Sequence, residues 1–203
     1  MAGMRMPCLV VNPKSFRTSN GGLAARALAL GAAYGAELIE ASHPDELRAG
    51  LDRVLAQGLR RVIVLSGDGT VQAIVDHLAC LPSGLPLPEL MILGGGRTNL
   101  TAADLRGNGA LMRKLDSALA RCRDGRDFEI QERPTLTIEQ HPAPPRHGFF
   151  VAGGFVDDVI RDCHRHRDEG GVISKGHFST PWYLLKLAVL SMLGRCPIPY
   201  PEM

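Results

Sequence analysis

The sequence of 203 residues lacks the cysteine pattern of a disulfide framework or a zinc finger. Its five cysteines are odd in number, and none belongs to a CxxC pair. This usage is typical of a reduced, cytoplasmic protein. The charges are also nearly balanced, at 23 basic and 21 acidic residues. Nothing in this balance suggests a nucleic-acid-binding protein, which usually has a concentrated basic face, and we expect no nucleic-acid partner.

Long apolar runs are absent as well. No run approaches the ~20 residues that a membrane-spanning helix needs, and residues 1–11 do not resemble a secretory signal. The longest candidate, Trp182–Leu193, contains Lys186 and is too short. We expect it to form a helix that packs on a sheet, although an apolar helix flanked by Lys175 and Arg195 could also touch a membrane surface. A cytoplasmic protein, peripheral at the membrane in the second case, is the resulting expectation.

Short apolar strands alternate with helices through the first part of the chain. Strands are predicted at 8–11, 36–40, 61–65 and 90–93, and helices at 23–34, 42–57, 71–78 and 110–123. This order predicts an α/β fold with a mainly parallel sheet and helices on both faces. Ser42 and Asp45 resemble a capping box at the start of the second helix, and Gly58 is placed to end that helix.

The pattern changes after Gly125. Strands are predicted at 128–132, 135–139 and 149–152 without intervening helices, followed by a helix at 181–193. We therefore predict an α/β domain over residues 1–127 and a β-rich, partial second domain over residues 128–203.

A glycine cluster, Ser66-Gly67-Asp68-Gly69-Thr70, follows the clearest buried strand and precedes a helix. Ligands of open α/β sheets bind at that edge. Glycines let backbone N–H groups approach phosphate oxygens, the helix N-terminus favours anions, and Thr70 can donate a hydrogen bond. Asp68 beside a phosphate would need a metal ion or a substrate hydroxyl between them. The alternative is a tight strand-to-helix turn without a ligand.

A second cluster, Gly94–Asn99, follows the next strand and is expected at the same edge of the sheet. Its Arg97 could pair with phosphate, or the cluster could be a flexible loop whose arginine is solvated. Neither cluster fits the GxGxxG dinucleotide fingerprint, because Gln72 stands where the third glycine belongs, and the Walker A pattern is absent.

With Asn12-Pro13-Lys14-Ser15, the segments Gly67–Thr70 and Gly96–Asn99 resemble the three ordered motifs of the diacylglycerol kinase catalytic domain. Residues 148–155 also resemble the segment that opens the second domain of that family. The resemblance implies an NAD kinase/diacylglycerol kinase-like α/β fold, followed by the beginning of a β-sandwich, with a nucleotide between the two domains. It implies that the following residues contact ATP: Asn12, Ser42, Ser66, Gly67, Asp68, Gly69, Thr70, Gln72, Gly96, Thr98 and Asn99.

The implied reaction is transfer of the γ-phosphoryl group of ATP, with Mg²⁺, to a lipid hydroxyl such as that of diacylglycerol or a sphingoid base. The partner would then be a lipid at the membrane surface. Asp68 would order metal-bound water or accept the substrate proton, or else stabilise the loop by accepting backbone N–H groups. Two other functions stay open: a phosphotransferase of the NAD kinase type, which shares the GDGT sequence, and a nucleotide-binding module without catalysis.

The sequence departs from the family pattern at three positions. Ser66 replaces a glycine before the aspartate, Arg97 stands at a threonine position, and Leu100 replaces an aspartate. No metal-binding residues are predicted, because the cysteines and histidines of residues 163–177 match no standard zinc spacing.

We expect little or no kinase turnover by the 203-residue chain, and activity in a version extended by a complete β-sandwich. The family draws further acidic groups from that second domain, and a partial domain leaves strand edges that favour dimerisation. The measurement is transfer of labelled phosphate from ATP to mixed diacylglycerol and sphingoid micelles. Robust turnover by the short chain that is abolished by Asp68→Asn would contradict this expectation.

Overall fold

The computed structural model describes residues 7–82 and 84–150. The elements are, in order, β1 (Cys8–Val11), α1 (Leu23–Ala33), β2 (Glu37–Glu40), α2 (Pro44–Ala56), β3 (Arg61–Ser66), α3 (Asp68–Ala79), β4 (Glu89–Gly94), α4 (Leu100–Asp104), α5 (Leu111–Arg123), β5 (Leu136–Ile138) and β6 (Arg146–Gly148). Within these described ranges, no helix is long and apolar enough to cross a membrane.

The first four strands form one parallel sheet in the order β2-β1-β3-β4. Parallel neighbours need crossover connections, which the helices between the strands provide. All four carboxyl ends therefore lie at the same edge, where the register pairs Ser66 with Gly94. The two glycine clusters consequently leave the sheet side by side. The predicted α/β fold is confirmed for this part of the chain.

The residues of the central strands alternate between two helical layers, as expected for a pleated strand covered on both faces. Val64 belongs to the cluster that includes Leu51 of α2, whereas Leu65 belongs to the cluster that includes Leu115 of α5. All four side chains are fully buried. Cys8 lies in the first cluster, and burial raises the pKa of its thiol to about 12, so it packs as an uncharged group.

Two helices near the sheet edge differ from the prediction. Helix α3 begins at Asp68 rather than at the predicted Val71. Glycine has a low helix propensity and so favours a later start, but Gly69 takes helical geometry in the first turn. Helix α4 was not predicted, since its five residues are too few to show a helical period. The glycine cluster at Ser66–Thr70 is therefore mostly the first turn of a helix rather than a loop.

The capping box predicted at the start of α2 was wrong by one residue. His43 is the N-cap, with an extended backbone, and Pro44 is the first helical residue. The carboxylate of Glu46 accepts the backbone N–H groups of Ser42 and His43 at 2.8 and 3.1 Å. These two bonds hold the pKa of Glu46 below its usual range. Glu46, rather than Asp45, lies three residues beyond the N-cap, which is the spacing such a bond requires.

Strands β5 and β6 form a separate antiparallel pair. The strand predicted at 135–139 is confirmed in β5, whereas residues 128–132 form no strand. The strand predicted at 149–152 was misplaced where it can be compared, because β6 ends at Gly148; residues 151 and 152 lie outside the described residues. The predicted helix at 181–193 lies outside them too.

By its internal contacts the chain divides into two units, Met1–Phe149 and Phe150–Met203. The second unit lies almost wholly outside the described residues. The predicted domain boundary near Asp127 therefore stays a prediction.

Leu51→Ala should lower the free energy of unfolding by about 2–5 kcal/mol, because it leaves a cavity among fully buried neighbours. Leu87→Ala, at a side chain that is 64% exposed, is the matched control and should change it by less than about 0.5 kcal/mol. Urea unfolding measures both values. If Leu51→Ala lowers the free energy of unfolding no more than Leu87→Ala does, Leu51 is not part of the core.

Candidate functional site

A cavity of about 290 Å³ lies at the carboxyl edge of the sheet, beside the N-termini of α2 and α3. The chain runs from β1 to β2 on one side of β1 and then returns to β3 on the other side. Ligands of open α/β sheets bind where the strand order reverses in this way. The residues that line the cavity are Asn12, Ser15, Ala41, Ser42, His43, Pro44, Leu47, Gly67, Gly69, Thr70 and Ala73.

The two glycine segments contact each other backbone to backbone. A Cβ atom added at Gly96 would lie 2.5 Å from the Cα atom of Gly67, and one added at Gly67 would lie 3.1 Å from that of Gly96. Gly95 is as tightly placed against Ser66, whose carbonyl oxygen accepts the Gly95 N–H at 2.7 Å. These glycines are therefore required for the segments to pack together.

Gly69 has a different environment. A Cβ atom added there would meet no heavy atom within 4 Å, and the residue lines the cavity in the first turn of α3. The first N–H groups of a helix have no intrahelical acceptor, and the helix dipole adds a partial positive charge. The open side of Gly69 is thus the place where an anionic group can approach the start of α3 most closely.

Asn12 orients the hydroxyl group of Thr70. Its side-chain nitrogen donates to Thr70 Oγ1 at 3.0 Å, while its side-chain oxygen accepts the Lys14 N–H at 2.9 Å. Because Thr70 is the acceptor in this bond, its own hydroxyl hydrogen is left to donate. Both residues line the cavity, so Thr70 offers it an oriented hydrogen-bond donor.

Ser15 connects the segment after β1 to the segment after β3. Its Oγ atom lies 3.0 Å from Ser66 Oγ and accepts the Gly67 N–H at 3.3 Å. Ser66 is only 1% exposed, so this serine, which stands where the family has glycine, acts as part of the support beneath the cavity.

The N-terminus of α2 also faces the cavity, but a carboxylate already occupies it. Ser42 lines the cavity, and its backbone N–H is bonded to Glu46. At the rim, Lys14 Nζ lies 3.4 Å from His43 Nε2. The start of α3 is therefore better suited to an anion than the start of α2, and a ligand contact by Ser42 would have to use its side chain.

Asn99 stabilises the second glycine segment from within. It adopts a left-handed backbone with φ 55° and is 5% exposed. Its side-chain oxygen accepts the Gly96 N–H at 2.7 Å and its nitrogen donates to the Gly96 carbonyl at 2.9 Å. Thr98 beside it is exposed, and the guanidinium of Arg97 lies 4.0 Å from the ring centre of Phe16, in cation–π geometry.

The carboxylate of Asp68 faces α4. One oxygen accepts the Leu100 N–H at 3.0 Å and the other accepts the Thr101 N–H at 3.1 Å. These contacts match the loop-stabilising alternative raised from the sequence, whereas a catalytic role for Asp68 stays a prediction.

Gln72 and Asp76 hold the backbone of β6. Gln72 donates to the carbonyl oxygen of His147, and Asp76 accepts the N–H of the same residue. Arg146 also pairs with Asp76 at 2.9 Å. Gln72 was predicted to contact phosphates, but its described hydrogen bond is to β6, and a Cβ atom at Gly148 would lie 2.7 Å from its side-chain oxygen.

The structure separates the predicted site residues into two groups. Those that line the cavity are Asn12, Ser42, Gly67, Gly69 and Thr70; those outside its lining are Ser66, Asp68, Gln72, Gly96, Thr98 and Asn99. Six lining residues were not among those predicted: Ser15, Ala41, His43, Pro44, Leu47 and Ala73. Ser15 could have been found, because it belongs to the quoted Asn12–Ser15 motif, and Ala73 lies one turn beyond Gly69. His43 has no comparable signal.

Comparison with known proteins identifies the fold and its family. Residues 7–130 match the model of the diacylglycerol kinase catalytic domain, which is more than half of the chain. The chain belongs to the diacylglycerol kinase catalytic domain family. No curated protein matches this family member.

Two crystal structures are similar to this kinase-family chain. They are a candidate diacylglycerol kinase and a diacylglycerol kinase, both from Bacillus anthracis str. Sterne, at 21% and 23% sequence identity and a TM-score of 0.46 each. The alignments cover 58% of this chain and 40% and 42% of the two structures. The chain thus spans less than half the length of these proteins.

The two kinds of glycine should respond differently to a methyl group. Gly96→Ala forces apart two backbones and should cost about 1–3 kcal/mol of unfolding free energy. Gly69→Ala adds a methyl group in open space within a helix and should be neutral or stabilising by up to about 1 kcal/mol. Thermal unfolding of both variants is the measurement. A Gly69→Ala variant as unstable as Gly96→Ala would mean that the first turn of α3 is not open as described.

Proposed function

We propose that the chain is the nucleotide-binding part of a phosphotransferase that moves the γ-phosphoryl group of ATP to a lipid hydroxyl. The observation that carries the proposal is the cavity at the strand-order reversal, with the open face of Gly69 and the oriented hydroxyl of Thr70 at its α3 side. Membership of the diacylglycerol kinase catalytic domain family supports this reading and is the source of the lipid acceptor.

The phosphate chain is proposed to lie against the first turn of α3. Backbone N–H groups and the helix dipole favour negative charge there, and Thr70 can donate to a phosphate oxygen. Glu46 occupies the N-terminus of α2, so the rest of the nucleotide is placed toward Ser42 and His43, where polar and apolar groups alternate. Phosphoryl transfer depends mainly on positioning and charge neutralisation, and these residues supply positioning.

Mg²⁺ in kinases is usually held by one or two carboxylates together with substrate phosphates. Within the described residues no group of three acidic, cysteine or histidine side chains is arranged to hold a metal ion. Asp68, the carboxylate of the glycine motif, has both oxygens bonded to backbone N–H groups of α4. No step of the proposal depends on a metal ion held by these residues.

Gly69→Val should weaken binding of ATP by roughly tenfold or more, which is about 1.4 kcal/mol, because its side chain fills the open face without disturbing a packed neighbour. Ala79→Val, at the exposed far end of the same helix, is the matched control and should bind ATP like the unchanged chain. Calorimetric titration measures both affinities, and circular dichroism verifies the fold.

Three outcomes separate the candidate functions. If Gly69→Val binds ATP as tightly as the control Ala79→Val does, the nucleotide does not lie against Gly69. ATP binding without phosphate transfer to any lipid, even in a version extended toward full family length, would favour the non-catalytic module. Transfer to NAD rather than to lipid would favour the NAD kinase type.

A further inference from the structure

Helix α4 is capped by a residue from another helix. The first N–H groups of a helix need an outside acceptor, which the N-cap side chain usually supplies. Here the N-cap is Asn99, but its side chain is bonded to the N–H and carbonyl of Gly96, and it makes no capping bond. Asp68, 32 and 33 residues earlier in the chain, takes its place on Leu100 and Thr101.

This cap completes a set of contacts between the two glycine segments. Gly67 packs on Gly96, the Ser66 carbonyl accepts the Gly95 N–H, and Asp68 then fixes the start of α4 just beyond the second segment. In this set of contacts, Asp68 contributes a charged carboxylate. Hydrogen bonds to charged groups are stronger than those between neutral groups.

We propose that Asp68 is a positioning residue, which joins the first turn of α3 to the start of α4 and thereby fixes the second glycine segment beside the cavity. The effect on nucleotide affinity rests on the proposed function, whereas the capping role does not. A positioning role is distinct from that of a general base or a metal ligand, because it requires only the two bonds that the carboxylate accepts from α4.

The first experiment measures amide hydrogen exchange by NMR in the full chain without nucleotide. Asp68→Ala removes both acceptors, so protection at Leu100 and Thr101 should fall by roughly tenfold or more. Asp68→Asn keeps one acceptor oxygen and should lose protection at only one of the two amides. Asp104→Asn, at a half-exposed carboxylate near the other end of α4, is the matched control and should leave both amides protected.

Unchanged protection at both amides in Asp68→Ala would overturn the capping role. If that variant does not fold, Asp68→Asn decides the question, because full protection at both amides would then overturn it as well.

The second experiment titrates ADP with Mg²⁺ and again with EDTA. A positioning residue predicts that affinity falls from the unchanged chain to Asp68→Asn and further to Asp68→Ala, by the same factor in both buffers. A loss confined to the Mg²⁺ buffer would assign Asp68 to the metal and overturn the proposal. Equal affinity in all three proteins would overturn the effect on the site. Absence of ADP binding by the unchanged chain would contradict the proposed function, and the exchange measurement would still decide the role of Asp68.

Discussion

The close approach of Gly67 to Gly96 is the constraint on which the candidate site depends. Parallel strands β3 and β4 end in register, at Ser66 and Gly94. The segments that follow them therefore start about one inter-strand distance apart, which is about 4.8 Å. A side chain at either glycine would separate them, because the added Cβ atom would lie 2.5–3.1 Å from a backbone carbon of the other segment. The other contacts between the segments, through Ser66 and Asp68, require this approach.

The fold could be predicted from sequence where burial alone determines structure. The β-branched residues Val62, Ile63 and Val64 favour a strand covered on both faces, and the structure places β3 inside the sheet with these side chains fully buried. The start of α3 and the whole of α4 were harder to predict from the sequence, because each makes hydrogen bonds with a partner distant in the chain. A short helix such as α4 acquires its cap from Asp68, and local sequence contains no trace of that contact.

The candidate site was predicted as a group of residues but not in its division of roles. Glycine is the expected residue both where a phosphate approaches the backbone and where two backbones pack, so spacing cannot separate Gly69 from Gly96. Only the surroundings do, since the first faces open space and the second faces Gly67. The partner of Gln72 was likewise not predictable from spacing, because its hydrogen bond is to the distant His147. A contact of Gln72 with ATP stays a prediction.

Helix α3 shows how one element can serve the core, the cavity and the scaffold at once. Its residues fall on three stripes at helical spacing. One stripe is buried in the core (Val71, Ile74, Val75 and Leu78), one lines the cavity (Gly69, Thr70 and Ala73), and one bonds the backbones of α4 and β6 (Asp68, Gln72 and Asp76).

The third stripe explains why the cavity stripe can contain such small residues. A glycine near the start of a helix raises the conformational entropy of the unfolded chain and weakens the first turn. The bonds of Asp68 to α4 and of Gln72 to β6 hold that turn from its far side, so Gly69 can leave its near side open. Loss of Asp68 should therefore loosen the N–H groups that an anion would meet, even though Asp68 itself is not among the residues that line the cavity.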